Sequence, residues 1–246
     1  MFRTVLTSLL AVLVLCGSAF AAEKTLIAAA NPTWPPMEFL DENKNIIGYD
    51  RDIIAAIAEE IGMKSEFRNI AWDGIFASLE SGQANVIASC VTITDKRKKA
   101  YVFSDPYYEV HQAVVVAKDS AIKKPEDLKG KKVGVQIGTT AIEALRKMNV
   151  DIDLRTYDEV GLVFEDMRNG RLDVVVCDDP VARYYASRKE GYKDLMKVAF
   201  LTEDVEYIGF VFSKDNAELA AQVNKGLKAI RENGNEKAIR NTWHGE

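Results

Sequence analysis

Two segments of this chain follow the same order of predicted elements, and this internal repeat limits the possible folds more than any other feature. In the first copy, a helix-like run that stops at Gly82 leads through an apolar run to the polar residues 89–92. In the second copy, a helix-like run that stops at Gly170 leads in the same way to residues 177–180. A helix, a buried strand and a polar turn, present twice, predict two similar α/β lobes. We therefore expect the functional site in the gap between the lobes.

Length and composition suit one large or two small globular domains. The chain has 246 residues, of which 48% are hydrophobic. Its formal net charge is -5, which argues against a nucleic acid partner because phosphate binding needs concentrated Lys and Arg. The sequence contains no Gly-x-Ser-x-Gly motif and no phosphate loop, and neither His111 nor His244 has a partner at metal-ligand spacing. We therefore expect no cofactor and no metal.

The first 22 residues have the pattern of a cleavable export signal. Arg3 supplies the positive start, residues 5–15 are mostly apolar, and Ala19-Phe20-Ala21 is a small-x-small cleavage site. The apolar run is shorter than the roughly 20 residues of a membrane-spanning helix. Lipid attachment at Cys16 is the less favoured alternative, because a large residue precedes this cysteine. The pattern predicts a soluble protein exported to the periplasm.

Strands alternate with helices along the mature chain, which predicts mixed, mostly parallel sheets flanked by helices. Ligands of such sheets bind beyond the carboxyl ends of the strands. Polar turns follow four predicted strands at such ends, after Ala30, Ala88, Val135 and Val176. A helix is expected over 73–81.

No segment is rich in Gly, Ser or Pro, so we expect short crossing segments to join the two lobes. We expect lobe 1 to comprise residues 23–109 and 204–246, and lobe 2 to comprise residues 112–200. The chain then crosses between the lobes twice, and hinges are expected near 108–112 and 201–206.

Six motifs distributed over the whole mature chain carry a family resemblance. They are Trp34-Pro35-Pro36-Met37-Glu38-Phe39, Gly48-Tyr49-Asp50, Thr92-Ile93-Thr94-Asp95-Lys96-Arg97, Phe103-Ser104-Asp105-Pro106-Tyr107-Tyr108, Val133-Gly134-Val135-Gln136 with Gly138-Thr139-Thr140, and Asp178-Asp179-Pro180. Together they resemble the amino-acid-binding proteins of ABC uptake systems, a periplasmic solute-binding family that includes glutamine, histidine and arginine binders. The resemblance implies a type II two-lobe fold, a free amino acid as ligand, a membrane permease as partner and a monomeric protein that is not an enzyme.

The resemblance also implies roles for individual residues. Arg97 matches the arginine that holds the ligand carboxylate, which suits the two parallel N–H donors of a guanidinium. Asp178 matches the aspartate that receives the ligand ammonium group. Thr92 is expected to add a hydroxyl, and the backbone N–H groups of Cys90 and Thr92 are expected to add donors. Thr140 opens a helix whose free N–H groups can reach the same carboxylate, and it has capping-box spacing to Glu143.

Side-chain recognition is less well defined by the sequence. Trp34 and Trp72 match aromatic residues that sandwich the ligand side chain, and Cys177 stands where glutamine binders have a histidine. Asn31 replaces the aspartate of the cation binders, so a polar uncharged amino acid is the first expectation and a basic one the second. The complete predicted binding set is Asn31, Trp34, Trp72, Ser89, Cys90, Thr92, Arg97, Gln136, Thr139, Thr140, Cys177 and Asp178.

Several alternatives stay open at this point. Asp50, Asp73 and Glu206 could replace the carboxylate that Asn31 lacks, although a helix cap is the favoured role of Asp50. A cyclohexadienyl-type dehydratase on the same fold would need a general acid, for which only Glu206 or Asp73 is available. A ligand-sensing module is a third possibility. Cys90 and Cys177 could form a disulfide, but two separate thiols are favoured.

Overall fold

The computed structural model describes residues 24–245 of the chain. The predicted export signal and Cys16 therefore lie outside the described residues. Within 24–245, no helix is both long enough and apolar enough to cross a bilayer.

The strands of the described region are short, with none longer than six residues. They are β1 (Thr25–Ala30), β2 (Thr33–Trp34), β3 (Glu38–Leu40), β4 (Ile46–Ile47), β5 (Lys64–Asn69), β6 (Val86–Ile87), β7 (Val102–Phe103), β8 (Tyr108–Val110), β9 (Gln112–Ala117), β10 (Lys132–Gln136), β11 (Asp153–Tyr157), β12 (Val174–Asp178), β13 (Met196–Leu201), β14 (Glu206–Ile208) and β15 (Val211–Phe212).

The helices alternate with these strands. They are α1 (Tyr49–Glu60), α2 (Ala77–Glu80), α3 (Asp95–Ala100), α4 (Ala141–Met148), α5 (Val160–Arg168), α6 (Asp179–Ser187), α7 (Ala217–Glu232) and α8 (Asn235–His244), with 3₁₀ turns at Trp72–Gly74, Pro125–Leu128 and Lys214–Asn216.

Two five-stranded sheets form two lobes, as the internal repeat predicts. The first sheet has the order β5-β1-β6-β15-β7 and the second has the order β11-β10-β12-β9-β13. In each sheet the first two pairings are parallel and the last two are antiparallel. The two-lobe α/β fold with mixed sheets is thus confirmed, although parallel pairs do not outnumber antiparallel ones. The repeated strands β6 and β12 are the third strand of their sheets.

Two further strand pairings lie outside these sheets. Strand β8 pairs antiparallel with β14, and these strands lie at the two predicted crossings. The small sheet β2-β3-β4 follows β1 and leads into α1. Apolar runs such as Val114–Val116 in β9 are fully buried, as expected for central strands covered on both faces.

The helix predicted over 73–81 is broken in the structure. Residues Trp72–Gly74 form a 3₁₀ turn and α2 covers only Ala77–Glu80. The Ser78 hydroxyl donates to the Ile75 carbonyl oxygen at 2.6 Å, and such a bond competes with regular helical pairing. The second copy, α5, is continuous over nine residues. Both copies stop at a glycine with positive φ, 71° at Gly82 and at Gly170.

Candidate ligand-binding site

A cavity lies between the two lobes. It is at the carboxyl ends of β1, β6, β10 and β12, where the topology predicts a ligand. The residues that line it are Asn31, Trp34, Glu38, Trp72, Ser89, Cys90, Thr92, Arg97, Gln136, Thr139, Thr140 and Asp178. All predicted binding residues except Cys177 are thus brought together, and Glu38 is added.

Arg97 presents a partly buried guanidinium to the cavity. The Thr94 hydroxyl accepts the Arg97 N–H as the cap of α3, which fixes the start of this short helix. The guanidinium donates to the carbonyl oxygens of Thr92 at 2.9 Å and Gly138 at 3.2 Å, and it lies 5.8 Å from the ring centre of Trp72. Among residues 24–245, no carboxylate lies within 4.0 Å of it. Burial lowers the pKa of Arg97, which shows that its charge is poorly solvated.

Asp178 presents a buried carboxylate to the same cavity from the end of β12. It is 5% exposed and accepts a hydrogen bond from Gln112 Nε2 at 2.6 Å. Burial, and then the charge of Glu206, raise the pKa of Asp178 to about 7. A cation placed beside this carboxylate would stabilise its ionised form.

The expected capping box of Thr140 and Glu143 does not form. Thr140 is the residue before α4, but its side chain makes no capping hydrogen bond. Its hydroxyl instead donates to Glu206 Oε2 at 2.6 Å, while Glu143 pairs with Arg146. The physical reason is the backbone conformation of Thr140, which is right-handed helical with φ -72° and ψ -13°, whereas a capping residue is typically extended.

The Cys90 backbone N–H is not free to bind a ligand, contrary to expectation. It donates to Asp50 Oδ2 at 2.6 Å, and Cys90 has a left-handed φ of 45°. Asp50 is also not a helix cap. Helix α1 begins at Tyr49, so Asp50 lies inside the first turn, where it is fully buried. Gly48 occupies the cap position.

Cys177 does not line the cavity, because it alternates with Asp178 along β12. Adjacent residues of a strand point to opposite faces, so Cys177 is buried on the far side of the sheet, with 1% exposure. Both Cys90 and Cys177 are free thiols. The structure therefore agrees with two separate thiols.

Two of the three alternative acids, Asp73 and Glu206, do not reach the cavity and so cannot recognise the ligand side chain. Asp73 is exposed in its 3₁₀ turn, and Glu206 is not among the lining residues. Glu206 Oε2 instead holds together the two lobes, since it accepts from Thr140 at 2.6 Å and from Thr92 at 3.3 Å.

Glu38 is the lining residue that the sequence analysis missed. It lies in β3, is 1% exposed and accepts from the Ser89 hydroxyl at 2.8 Å. No local pattern singles it out, because only the folded structure shows that this carboxyl is buried. The wall of the cavity also contains the Trp34 indole N–H, which has no hydrogen-bond acceptor among residues 24–245.

The cavity offers no arrangement for a metal. Within 24–245, no group of three or more His, Cys, Asp or Glu side chains could hold a metal ion. What the arrangement can do is bind a small molecule that carries both charges, because a cation and an anion face the same space without a partner of opposite charge.

Comparison with protein families gives one match over nearly all of the described chain. Residues 26–246 match the model of the bacterial extracellular solute-binding proteins, family 3. Among curated proteins, the L-cystine-binding protein of Escherichia coli (strain K12) is 31% identical over 90% of this chain and 83% of its own length. The ABC transporter arginine-binding protein 1 of the same strain is 32% identical over 99% of each chain.

Solved structures show the same similarity. An ancestral arginine-binding protein bound to glutamine superposes with a TM-score of 0.84 and 38% identity, over 91% of this chain and 99% of the other. The ancestral amino acid-binding protein AncCDT-1, a precursor of cyclohexadienyl dehydratase, gives a TM-score of 0.82 with 36% identity, over 89% and 95% of the chains.

Proposed function

The chain belongs to the bacterial extracellular solute-binding proteins of family 3, and we propose that it captures a free L-amino acid between its lobes and delivers it to an ABC permease. The observation that carries this proposal is the pair of opposite charges in one cavity. Arg97 approaches from the first lobe and Asp178 from the second, and both line the cavity. An amino acid is a small molecule with a carboxylate and an ammonium group, so it can satisfy both.

Arg97 is the proposed partner of the ligand carboxylate. Two of its N–H groups are used by carbonyl oxygens, which leaves the remaining donors of the guanidinium for an anion. The N–H groups at the start of α4 directly follow Thr139 and Thr140, which line the cavity, and we propose that they support the same end of the ligand. Asp178 is the proposed partner of the ammonium group.

We propose a polar uncharged side chain as the first candidate and a basic one as the second. Asn31 lines the cavity and its Oδ1 accepts from the Thr33 hydroxyl at 2.9 Å. Within residues 24–245 the buried Trp34 indole N–H lacks an acceptor, and a ligand amide oxygen would supply one. The two curated relatives described above are a cystine-binding and an arginine-binding protein, and one solved relative is bound to glutamine.

Closure of the two lobes is the proposed mode of capture. The described arrangement is closed, because Arg97 of the first lobe donates to Gly138 O of the second. The proposed hinges are at 108–112 and 201–206, where β8 and β14 pair. A ligand that touches both lobes binds the closed form better than the open form and so shifts the population towards closure.

The proposed location is the periplasm, reached through a signal over residues 1–22, and the proposed working form is a monomer. A thermal-shift screen of the twenty amino acids tests the function. One or a few amino acids should raise the melting temperature, because ligand that binds only the native state stabilises it by mass action. No shift with any amino acid would reject the proposal.

A dehydratase is the second candidate, favoured by the similarity to AncCDT-1 and by a cavity carboxyl whose pKa is raised to about 7. A carboxyl with such a pKa can donate a proton at neutral pH. The proposed acids Asp73 and Glu206 do not line the cavity, which weakens this candidate. Incubation with arogenate or prephenate, followed by detection of the aromatic product, separates it from simple binding.

A further inference from the structure

Glu38 and Asp50 are two buried carboxyl groups that lie against each other beneath the first-lobe wall of the cavity. One oxygen of each has a donor: Ser89 Oγ lies 2.8 Å from Glu38 Oε1, and Cys90 N lies 2.6 Å from Asp50 Oδ2. The other two oxygens, Glu38 Oε2 and Asp50 Oδ1, have no hydrogen bond of good geometry among residues 24–245, although the Tyr107 hydroxyl lies close to Asp50. Each carboxyl of the pair therefore has one oxygen without a well-formed hydrogen bond.

Two ionised carboxylates in this position would repel each other, and each would leave an oxygen without a hydrogen bond. A carboxylate only accepts hydrogen bonds, whereas a protonated carboxyl also donates one. A single proton between Glu38 Oε2 and Asp50 Oδ1 removes both problems at once. Closely spaced acids share a proton for this reason in other proteins.

We infer that Glu38 and Asp50 share one proton, and that the pair acts as a positioning unit for the cavity wall. The role of the wall in binding rests on the proposed function, but the proton itself does not. In this arrangement Glu38 donates to Asp50, and Asp50 accepts from the Cys90 N–H. The Ser89 hydroxyl donates to Glu38 and accepts from the Asn31 N–H at 3.0 Å.

The hydrogen bonds thus converge on Asp50 and fix two segments that line the cavity. One is Asn31, directly after β1, and the other is the turn at Ser89 and Cys90 after β6. The left-handed φ of 45° at Cys90 is uncommon for a residue other than glycine, and the bond to Asp50 holds it.

The titration behaviour of the pair supports the same assignment and places the proton on Glu38. Burial, and then the charge of Asp50, raise the pKa of Glu38 well above its usual value. Burial raises the pKa of Asp50 only to about 6, because hydrogen bonds from the Cys90 N–H, the Tyr107 hydroxyl and Glu38 stabilise its charge.

The other titratable groups that face the pair do not supply a positive charge. Asp178, across the cavity, adds a negative charge that further raises the pKa of Glu38. Burial raises the pKa values of the Cys90 thiol and of the Tyr107 hydroxyl well above their ordinary values, so both stay neutral. Tyr49, beside Asp50 on α1, is likewise kept neutral by burial.

Replacement of Glu38 by Gln tests the inference in the ligand-free protein. The Gln side-chain amide can donate to Asp50 permanently, and its carbonyl oxygen can accept from Ser89, so E38Q imitates the protonated pair at every pH. In the wild type, native Glu38 keeps a proton that the unfolded chain loses above its usual pKa. Raising the pH above the usual Glu pKa therefore lowers the free energy of unfolding of the wild type. This decrease stops only when the pH passes the raised pKa of Glu38 in the native state.

We expect the unfolding equilibrium constant of the wild type to rise relative to that of E38Q by about tenfold per pH unit, measured from about pH 5 to pH 8. E42Q at the neighbouring exposed Glu42 is the matched control and should follow the wild type. A constant ratio between wild type and E38Q over this range would overturn the inference. Because no ligand is present, this failure is distinct from failure of the proposed function.

A second measurement covers the case in which E38Q does not fold. Carbon-13 NMR of wild-type protein labelled at the Glu side-chain carboxyl detects Glu groups without interference from Asp178. We expect one Glu resonance to stay at the protonated position at pH 7, after the exposed Glu residues have titrated. Titration of all Glu resonances below about pH 6 would overturn the shared proton.

Discussion

Arg97 and Asp178 face one cavity from opposite lobes, and they form no ion pair with each other. Arg97 instead donates to two carbonyl oxygens, and Asp178 accepts from Gln112. Charges that are buried without a counter-ion destabilise a protein unless a ligand supplies the missing partner. The predictions below follow from this arrangement.

Replacement of Arg97 by Ala should lower amino-acid affinity by about 100-fold or more, since two charge-assisted hydrogen bonds to the carboxylate are lost. The melting temperature of the ligand-free protein should barely change, because removal of a poorly solvated charge offsets the loss of its hydrogen bonds to the Thr92 and Gly138 carbonyl oxygens. Calorimetry measures the affinity. Lys96→Ala, at an exposed position of the same helix, is the control and should bind normally. Unchanged affinity in Arg97→Ala would reject the assignment.

Replacement of Asp178 by Asn should weaken binding and yet stabilise the ligand-free protein. The pKa of Asp178 is raised to about 7 from its usual 3.8, so its contribution to stability falls as the pH rises between these values. At pH 8 the gain on neutralisation should be on the order of 4 kcal/mol. Denaturant unfolding measures it, with exposed Asp194→Asn as the control. Lower stability of Asp178→Asn at pH 8 would contradict this account.

Ligand affinity of the wild type should depend on pH through the same carboxylate. A bound ammonium group favours the ionised form and lowers the pKa of Asp178 from about 7, so binding releases a proton below that pH. Affinity should therefore fall by up to about tenfold per pH unit as the pH drops below 7, and stay level above it. Calorimetry over a pH series, with Asp178→Asn for comparison, checks this. Affinity that rises on acidification would point to another partner for the ammonium group.

Replacement of Gly48 by Ala should destabilise the fold strongly. Gly48 has a φ of 131°, and a Cβ atom there would lie 2.3 Å from the Met37 carbonyl oxygen. We expect a loss of about 3 kcal/mol or more in the free energy of unfolding. Gly62→Ala is the matched control, because Gly62 also has positive φ but open space around it, and should cost about 1–2 kcal/mol. Equal decreases in the free energy of unfolding of the two variants would contradict this prediction, because the contact with the Met37 carbonyl oxygen would then add nothing to the effect of positive φ.

Binding should not depend on the redox state of the solution. Cys90 and Cys177 are both buried and free, and only Cys90 lines the cavity. Stopped-flow association of the ligand should give the same rate with and without reductant. A rate that changes on reduction would show that a disulfide restrains the lobes.

Much of the site could be predicted because it follows from topology and residue chemistry. Equivalent polar turns at the ends of β6 and β12 had to meet between the lobes, and the motifs around Arg97 and Asp178 identified the charges. What could not be predicted depends on backbone conformation and on contacts between segments that are distant in sequence. Spacing favoured a capping box of Thr140 and Glu143, but Thr140 has helical φ and ψ, and its hydroxyl donates to the distant Glu206 Oε2 at 2.6 Å.

The same limit explains the other differences. Asp50 has the position of a helix cap in sequence, but a segment 40 residues away supplies the N–H that it accepts. Glu38 was missed because its importance comes from burial beside Asp50, which no local pattern shows. Cys177 was included by resemblance, whereas strand alternation places it on the face opposite to Asp178.

The most direct test compares one amino acid with two analogues, by calorimetry on the wild-type protein. The amino acid is the one that gives the largest thermal shift, and the analogues are its α-amide, which lacks the carboxylate, and its N-acetyl derivative, which lacks the ammonium group. The account predicts that each analogue binds about 100-fold more weakly or worse, because Arg97 or Asp178 is then left buried without a partner. An analogue that binds within a few fold of the parent amino acid would contradict the claim that both charged ends are held.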